Sequence, residues 1–287
     1  MRMIGTITVV TVCSAMLAMN DTPPNTIELS GTVRDFKERG SCGGGHPDFE
    51  VYPSKGFGQY CKNIATQLGE DDLPVFIGGG KKVKRQCKDS QGRPICWTLY
   101  DPDLGDSPIR FRCGTSTGGI ESSDSFNQWY RDVEGININI PITLTLVEQA
   151  DGSYVFDDEL DPLYQSLEGF FPIEHQGWGN PSGWPDRNFH FTFELHTSFT
   201  YHESDAQYFK FIGDDDVWVF IDGQLVIDLG GIHGSTQQYV DLTRLELEEG
   251  ETYSLDFFFA ERHRTESNFR FQTNLMFEEI EMPIGYD

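Results

Sequence analysis

The sequence predicts an all-β protein, an antiparallel β-sandwich with a loop-rich, disulfide-containing N-terminal part, and three observations carry that expectation. From residue 136 onward apolar residues recur at every second position, which lines them along one face of a strand. Glycine, aspartate and asparagine clusters separate these runs as turns do. No segment sustains a helical period, and many short strands with aromatic faces must bury those faces against a second sheet.

The chain opens with Arg2 and an uncharged stretch from Met3 to Met19 that includes Ile7, Val9, Val10, Val12 and Leu17. It is short for a membrane span, and Ser14, Ala15 and Ala18 offer small residues for cleavage, so residues 1–19 read as a secretory signal peptide. The protein is therefore expected to be secreted, extracellular or at the cell surface. Cys13 is an alternative lipidation position, and Asn20-Asp21-Thr22 matches a glycosylation acceptor. Residues 20–30 read as a linker, 31–280 as a single domain and 281–287 as a tail.

Within that domain residues 42–120 are loop-rich, with Cys42-Gly43-Gly44-Gly45-His46-Pro47, Gly78-Gly79-Gly80 and the basic run Lys81, Lys82, Lys84 and Arg85. The basic run is a solvated loop or a patch for a polyanion. Beyond the leader the cysteines are Cys42, Cys61, Cys87, Cys96 and Cys113, an odd number that leaves at least one thiol free or intermolecular. Export favours disulfides, and Cys87 and Cys96 flank a turn-like Asp89–Pro94 segment that suggests pairing them. No Cys-x-x-Cys spacing points to structural zinc.

The strands follow. Ile136, Ile138 and Ile140 alternate with asparagine, and Thr143–Val147 runs on towards the turn Asp151-Gly152. Phe189, Phe191, Phe193 and Leu195 share one face, as do Phe269, Phe271, Thr273, Leu275 and Phe277. Between them lie Tyr208–Ile212, the unbroken apolar run Val217–Ile221, its return Leu225–Ile227 across Asp222-Gly223, and Tyr253–Phe259.

Charge narrows the partners. The net charge of -25 is uneven, since residues 1–120 hold 14 Lys+Arg against 13 Asp+Glu and residues 121–287 hold 7 against 33. That field repels phosphate backbones and anionic membrane surfaces and attracts cations, so no nucleic acid and no membrane insertion are expected.

Gly213-Asp214-Asp215-Asp216 stands directly before the apolar strand. Three adjacent carboxylates repel one another unless a cation compensates, and calcium takes hard oxygen donors, so Asp214, Asp215 and Asp216 are candidate metal ligands and calcium the expected cofactor. A solvated acidic turn is the alternative. The loop Leu229–Gly234, with His233, offers backbone carbonyls or simply turns the chain. Glu261 and Asn268 supply oxygens or hydrogen bonds to hydroxyls, while Arg262 and His263 either balance the acid cluster at a binding site or form internal ion pairs. Trp178 and Trp184 stack on sugar faces or pack under a loop.

Several segments in order from about 31 to 277 carry a family resemblance. They are Gly31–Phe36, His46–Glu50, Trp129–Val133, Asn188–Phe191, Gly213–Gly223, Leu229–His233, Phe259–His263 and Ser267-Asn268-Phe269. Here the chain closely resembles the fibro-slime domain, a bacterial and amoebal extracellular branch of the protective-antigen-type carbohydrate-binding modules. The resemblance implies a lectin-like β-sandwich whose Asp-Asp pair, on Asp214 and Asp215, is joined by a cis peptide and chelates calcium, with sugar hydroxyls completing the shell.

The expected function is a calcium-dependent carbohydrate-binding or adhesion module, with a glycan or polysaccharide as partner. The alternative is a self-associating matrix or filament component in which calcium only stabilises the fold. An enzyme is not expected: glycoside hydrolysis needs two carboxyl groups facing each other roughly 5–9.5 Å apart across the bond, and contiguous aspartates suit a cation better. No His-Glu-x-x-His motif is present.

Overall fold

The computed structural model describes residues 25–183 and 186–278. Its first strand, β1 (Thr26–Phe36), pairs antiparallel along its whole length with β7 (Asn137–Glu148), Thr26 facing Val147 and Phe36 facing Asn137. The strand therefore begins inside the expected linker, because Ile27 and Leu29 alternate into the core. The leader, the tail 281–287 and Trp184 lie outside the described residues.

The segment between β1 and β7 forms short strands, β2 (Tyr60–Cys61), β3 (Lys81–Arg85), β4 (Cys87–Lys88), β5 (Pro94–Ile95) and β6 (Arg110–Phe111), with two 3-10 turns (Trp97–Leu99 and Pro102–Leu104) and one α-helical turn, α1 (Ser123–Phe126). All five cysteines here are free thiols, which corrects the expected Cys87–Cys96 bridge. In the β4–β5 hairpin Cys87 faces Ile95, not Cys96, and its thiol donates to the Ser107 carbonyl at 3.1 Å. One residue of register puts neighbouring side chains on opposite faces, so the two sulfurs do not meet there.

After β7 come β8 (Tyr154–Asp157), the short helix α2 (Pro162–Leu167), β9 (Phe191–Thr200), β10 (Tyr208–Gly213), β11 (Asp216–Ile221), β12 (Gln224–Leu229), β13 (Thr236–Asp241), β14 (Thr252–Glu261), β15 (Phe269–Thr273) and β16 (Phe277–Glu278). The main antiparallel ladder runs β12-β11-β14-β9-β1-β7-β8-β15-β10-β13, with β16 on β9. It folds onto itself as a sandwich close to a barrel. Phe257 of β14 lies 5.5 Å from Phe211 of β10 and 5.4 Å from Phe269 of β15, although these strands are not ladder neighbours. The two ends of the ladder meet through a side chain: Gln238 Oε1 on β13 accepts from Asp228 N on β12 at 2.9 Å.

The run in β11 is apolar throughout because both faces are covered. Val217, Val219 and Ile221 enter the core between the layers, while Trp218 and Phe220 join a second cluster with Phe126, Trp129, Tyr130 and Phe258. That second cluster glues the loop-rich segment to the outside of the sheet. Apolar packing does here what disulfides were expected to do, at roughly 1.5–3 kcal/mol for each large side chain fully buried.

Candidate functional site

Three strand connections cross from one layer to the other at the same end of the sandwich. β10 pairs with β13 and β15, whereas β11 pairs with β12 and β14, so Asp214-Asp215 is the crossing between them. The β12–β13 connection, with His233, crosses likewise, and so does the β14–β15 connection from Arg262 to Asn268. Residues more than fifty positions apart converge because each occupies such a crossing. Glycine is needed where β10 ends: a Cβ on Gly213 would lie 2.2 Å from the Asn268 carbonyl oxygen. It is needed again at Gly231, whose φ is +93° and whose Cβ would meet the Tyr60 ring at 2.5 Å.

The Asp214–Asp215 peptide bond is cis. Asp214 accepts from Asn268 twice, backbone N to Oδ1 at 2.6 Å and Nδ2 to Oδ2 at 2.8 Å. Asp215 accepts from His233 N at 3.1 Å and Arg262 N at 3.2 Å. The pair is thus oriented by four N–H groups from the other two crossings, and both side chains are buried.

Electrostatics separate this pair from its neighbour. Burial raises the Asp214 carboxyl, and burial with the adjacent Asp214 raises Asp215 well above the usual carboxylate range despite Arg262. Burial, followed by Asp215 and Asp214, raises Glu261 in the same way. Glu261 Oε1 accepts from His263 N at 3.2 Å, while its buried Oε2 has no partner among the described residues. Three acids press on each other, and the one buried guanidinium beside them is spent elsewhere.

That guanidinium belongs to Arg262, which is fully buried. Its Nε donates to Asp216 Oδ2 at 2.5 Å, and Nη1 and Nη2 donate to the carbonyls of Asp48 and Gly118, both at 3.1 Å. The other Asp216 oxygen accepts from Gly231 N at 2.5 Å. Two expectations change. Asp216 is already charge-paired with the Arg262 guanidinium, as Asp214 and Asp215 are not, and fully buried Arg262 offers no donor to an outside ligand. Asp214 and Asp215 keep lone pairs on both oxygens, since each oxygen accepts a single hydrogen bond.

Asp214 of the pair borders a groove of about 200 Å³ lined also by Ile232, His233, His263, Thr265 and Phe57. Both ring nitrogens of His233 lie 3.0 Å from backbone carbonyl oxygens, of Gly234 and Leu229. The His263 ring packs edge-on against Phe57 at 4.7 Å, and Phe57 against Tyr52 at 4.7 Å. Tyr52 is 72% exposed. Sequence reasoning passed over these two aromatics because they sit in the irregular N-terminal part; Gly58 N, donating to Ile232 O at 2.7 Å, is what brings them to the rim. Trp178 is partly exposed, with the Lys37 ammonium 3.7 Å from its ring centroid.

Elsewhere, Glu38, Glu50 and His190 bring one ligand atom each within 4.8 Å of one another, closer than Asp214, Asp215 and Glu261 come together among the described residues. That cluster has a cation of the protein beside it, the Arg264 guanidinium, with Nη2 2.5 Å from Glu38 Oε2 and Nε 3.6 Å from Glu50 Oε1.

Residues 173–283 match the family model of the PA14 domain. The chain is 41% identical over 259 residues to protein psiC of Dictyostelium discoideum, covering 88% of this chain and 41% of that protein. It is 40% identical over 192 residues to protein psiD of the same organism, covering 62% and 36%. It thus spans well under half the length of these relatives. Among solved structures, the PA14 domain of the MpAFP antifreeze protein aligns at 16% identity over 32% of this chain and 46% of that one, with a TM-score of 0.23. Among the described residues no helix is long and apolar enough to cross a membrane.

Proposed function

We propose that the chain is a secreted, non-catalytic, calcium-dependent glycan-binding module of the fibro-slime kind. One observation carries the reading: Asp214, Asp215 and Glu261 are buried near enough to raise one another, with an orphaned carboxylate oxygen, and none of the three has an ion-pair partner among the described residues. Hard oxygen donors of this sort fit calcium better than a transition metal. Asp214 and Asp215 would hold the ion, and Glu261 would deepen the negative field beside it. Bound calcium would supply coordination positions for sugar hydroxyls, while His263 and the Phe57–Tyr52 pair would wall the sugar ring. The PA14 match and the psi relatives support a binding or adhesion role, and the leader-like N-terminus supports secretion.

Glycan-array retention of the full chain with calcium and with a chelator tests the reading. Retention with calcium, lost with chelator and in Asp214→Asn/Asp215→Asn, is the expected result. A blank array together with calcium-dependent light scattering would favour the matrix reading instead.

A further inference from the structure

A second concave surface lies along β10 itself, away from the acid pair. β10, β13 and β15 turn Phe209, Phe211, Val240 and Phe271 inward. Alternation then sends Tyr208, Lys210, Gln237, Tyr239 and Gln272 to the other face. The Arg93–Pro94 turn of the β4–β5 hairpin stands at its border, so these side chains line a groove of about 260 Å³. Lys210 is four residues along the strand from Asp214, about 13 Å at the usual rise.

The groove has three complementary parts. Tyr208 and Tyr239 lie near-parallel, ring centroids 5.4 Å apart, with the Arg93 guanidinium 4.0 Å from the Tyr239 ring. Their hydroxyls and the Gln237 side-chain amide make no hydrogen bond to the protein among the described residues. Lys210 is the third part. The cations around it are matched, Arg93 by Asp89 and Asp241 and Arg270 by Asp157. The half-buried Lys210 ammonium has no carboxylate, carbonyl or aromatic ring of its own within reach among the described residues. Burial and then Arg270 lower its pKa, so an anion settling there would relieve a local excess of positive charge.

We infer that this groove is a second, metal-independent subsite for a carboxylated sugar ring of an acidic glycan, with the sugar carboxylate on Lys210, a ring face on Tyr208 and hydroxyls on Gln237. A surplus cation beside stacked aromatics and the free Gln237 amide fits a ring that is apolar on one face and anionic at one edge. The volume admits little more than one such ring.

The test is titration of the full chain with a short oligogalacturonate and with its neutral galactose counterpart, both in chelator so that calcium bridging cannot contribute. The expected result is saturable binding of the uronate at least tenfold tighter than the neutral sugar. Lys210→Gln should remove that preference and Tyr208→Ala should weaken binding several-fold, with circular dichroism unchanged. Asp214→Asn/Asp215→Asn should bind the uronate as the wild type does. No binding of the uronate, equal binding of the neutral sugar, or uronate binding unchanged in Lys210→Gln would overturn the inference. So would equal competition by inorganic phosphate, which would mark a site for any small anion.

Discussion

Arg262 and Asp216 form a buried ion pair, Nε to Oδ2 at 2.5 Å, and that pair decides how the acid loop is divided. It takes Asp216 out of the carboxylate cluster and leaves Asp214 and Asp215 without an ion-pair partner among the described residues. Because the remaining Arg262 donors reach Asp48 and Gly118, the same residue ties the loop-rich segment to the sandwich.

Breaking this pair should be costly. Asp216→Asn leaves a buried guanidinium facing a neutral amide, and removal of one partner of a buried pair typically costs about 3–5 kcal/mol. Chemical denaturation should show that loss with and without calcium. Asp215→Asn should do the reverse in chelator, raising the melting temperature by removing a like charge, and should abolish any calcium-dependent rise. A calcium response retained in Asp215→Asn would remove the ion from the pair.

Calcium should stabilise the wild type by mass action. At a hundred times the dissociation constant the gain is about 2.7 kcal/mol, or roughly 5–10 °C for a domain of this size. Scanning fluorimetry across a calcium titration measures it; magnesium, which demands tighter octahedral geometry, should do less.

The aromatic rim should affect sugar and not metal. Phe57→Ala removes a partly exposed ring from the groove wall, so glycan retention should fall several-fold while the calcium-induced shift in melting temperature stays within error. If both fell together, Phe57 would be holding the loop and not the ligand.

Stability without calcium should fall as pH rises from about 4 to about 6. Burial pushes Asp35, Asp158 and Asp228 up to about 6, so the native state keeps protons that the unfolded chain has released near pH 4. For fully buried Asp228 the difference is worth roughly 3 kcal/mol. In chelator the melting temperature should be higher at pH 5 than at pH 7.5. Asp228→Asn should flatten that dependence while lowering stability overall, because Trp218 Nε1, which donates to Asp228 Oδ1 at 3.2 Å, loses its acceptor when the amide group faces it.

The core carries its own expectation. Phe269 stacks on Phe170 at 4.4 Å, meets Phe257 and Phe259, and follows Asn268, which fixes Asp214. Phe269→Ala should cost about 3–5 kcal/mol in chemical denaturation.

The period-two runs determined the strands, since alternation states which face each residue takes: Phe191, Phe193, Phe269 and Phe271 are buried as expected, and Phe277 at the end of its run is only partly so. The acid run before β11 likewise marked the region of the candidate site, and β11 itself stood out as an unbroken apolar strand. Only tertiary structure decided which carboxylate pairs with the buried guanidinium. Local sequence gives Asp214, Asp215 and Asp216 the same standing, but the guanidinium of Arg262, forty-six residues from Asp216, pairs with the third and not with the first two. The same holds for Phe57 and Tyr52, brought to the rim by a backbone hydrogen bond across the fold, and for Cys87 and Cys96, kept apart by a single residue of register. Periodicity is a property of neighbours in the chain, whereas charge pairing depends on which crossings the sheet brings to one end.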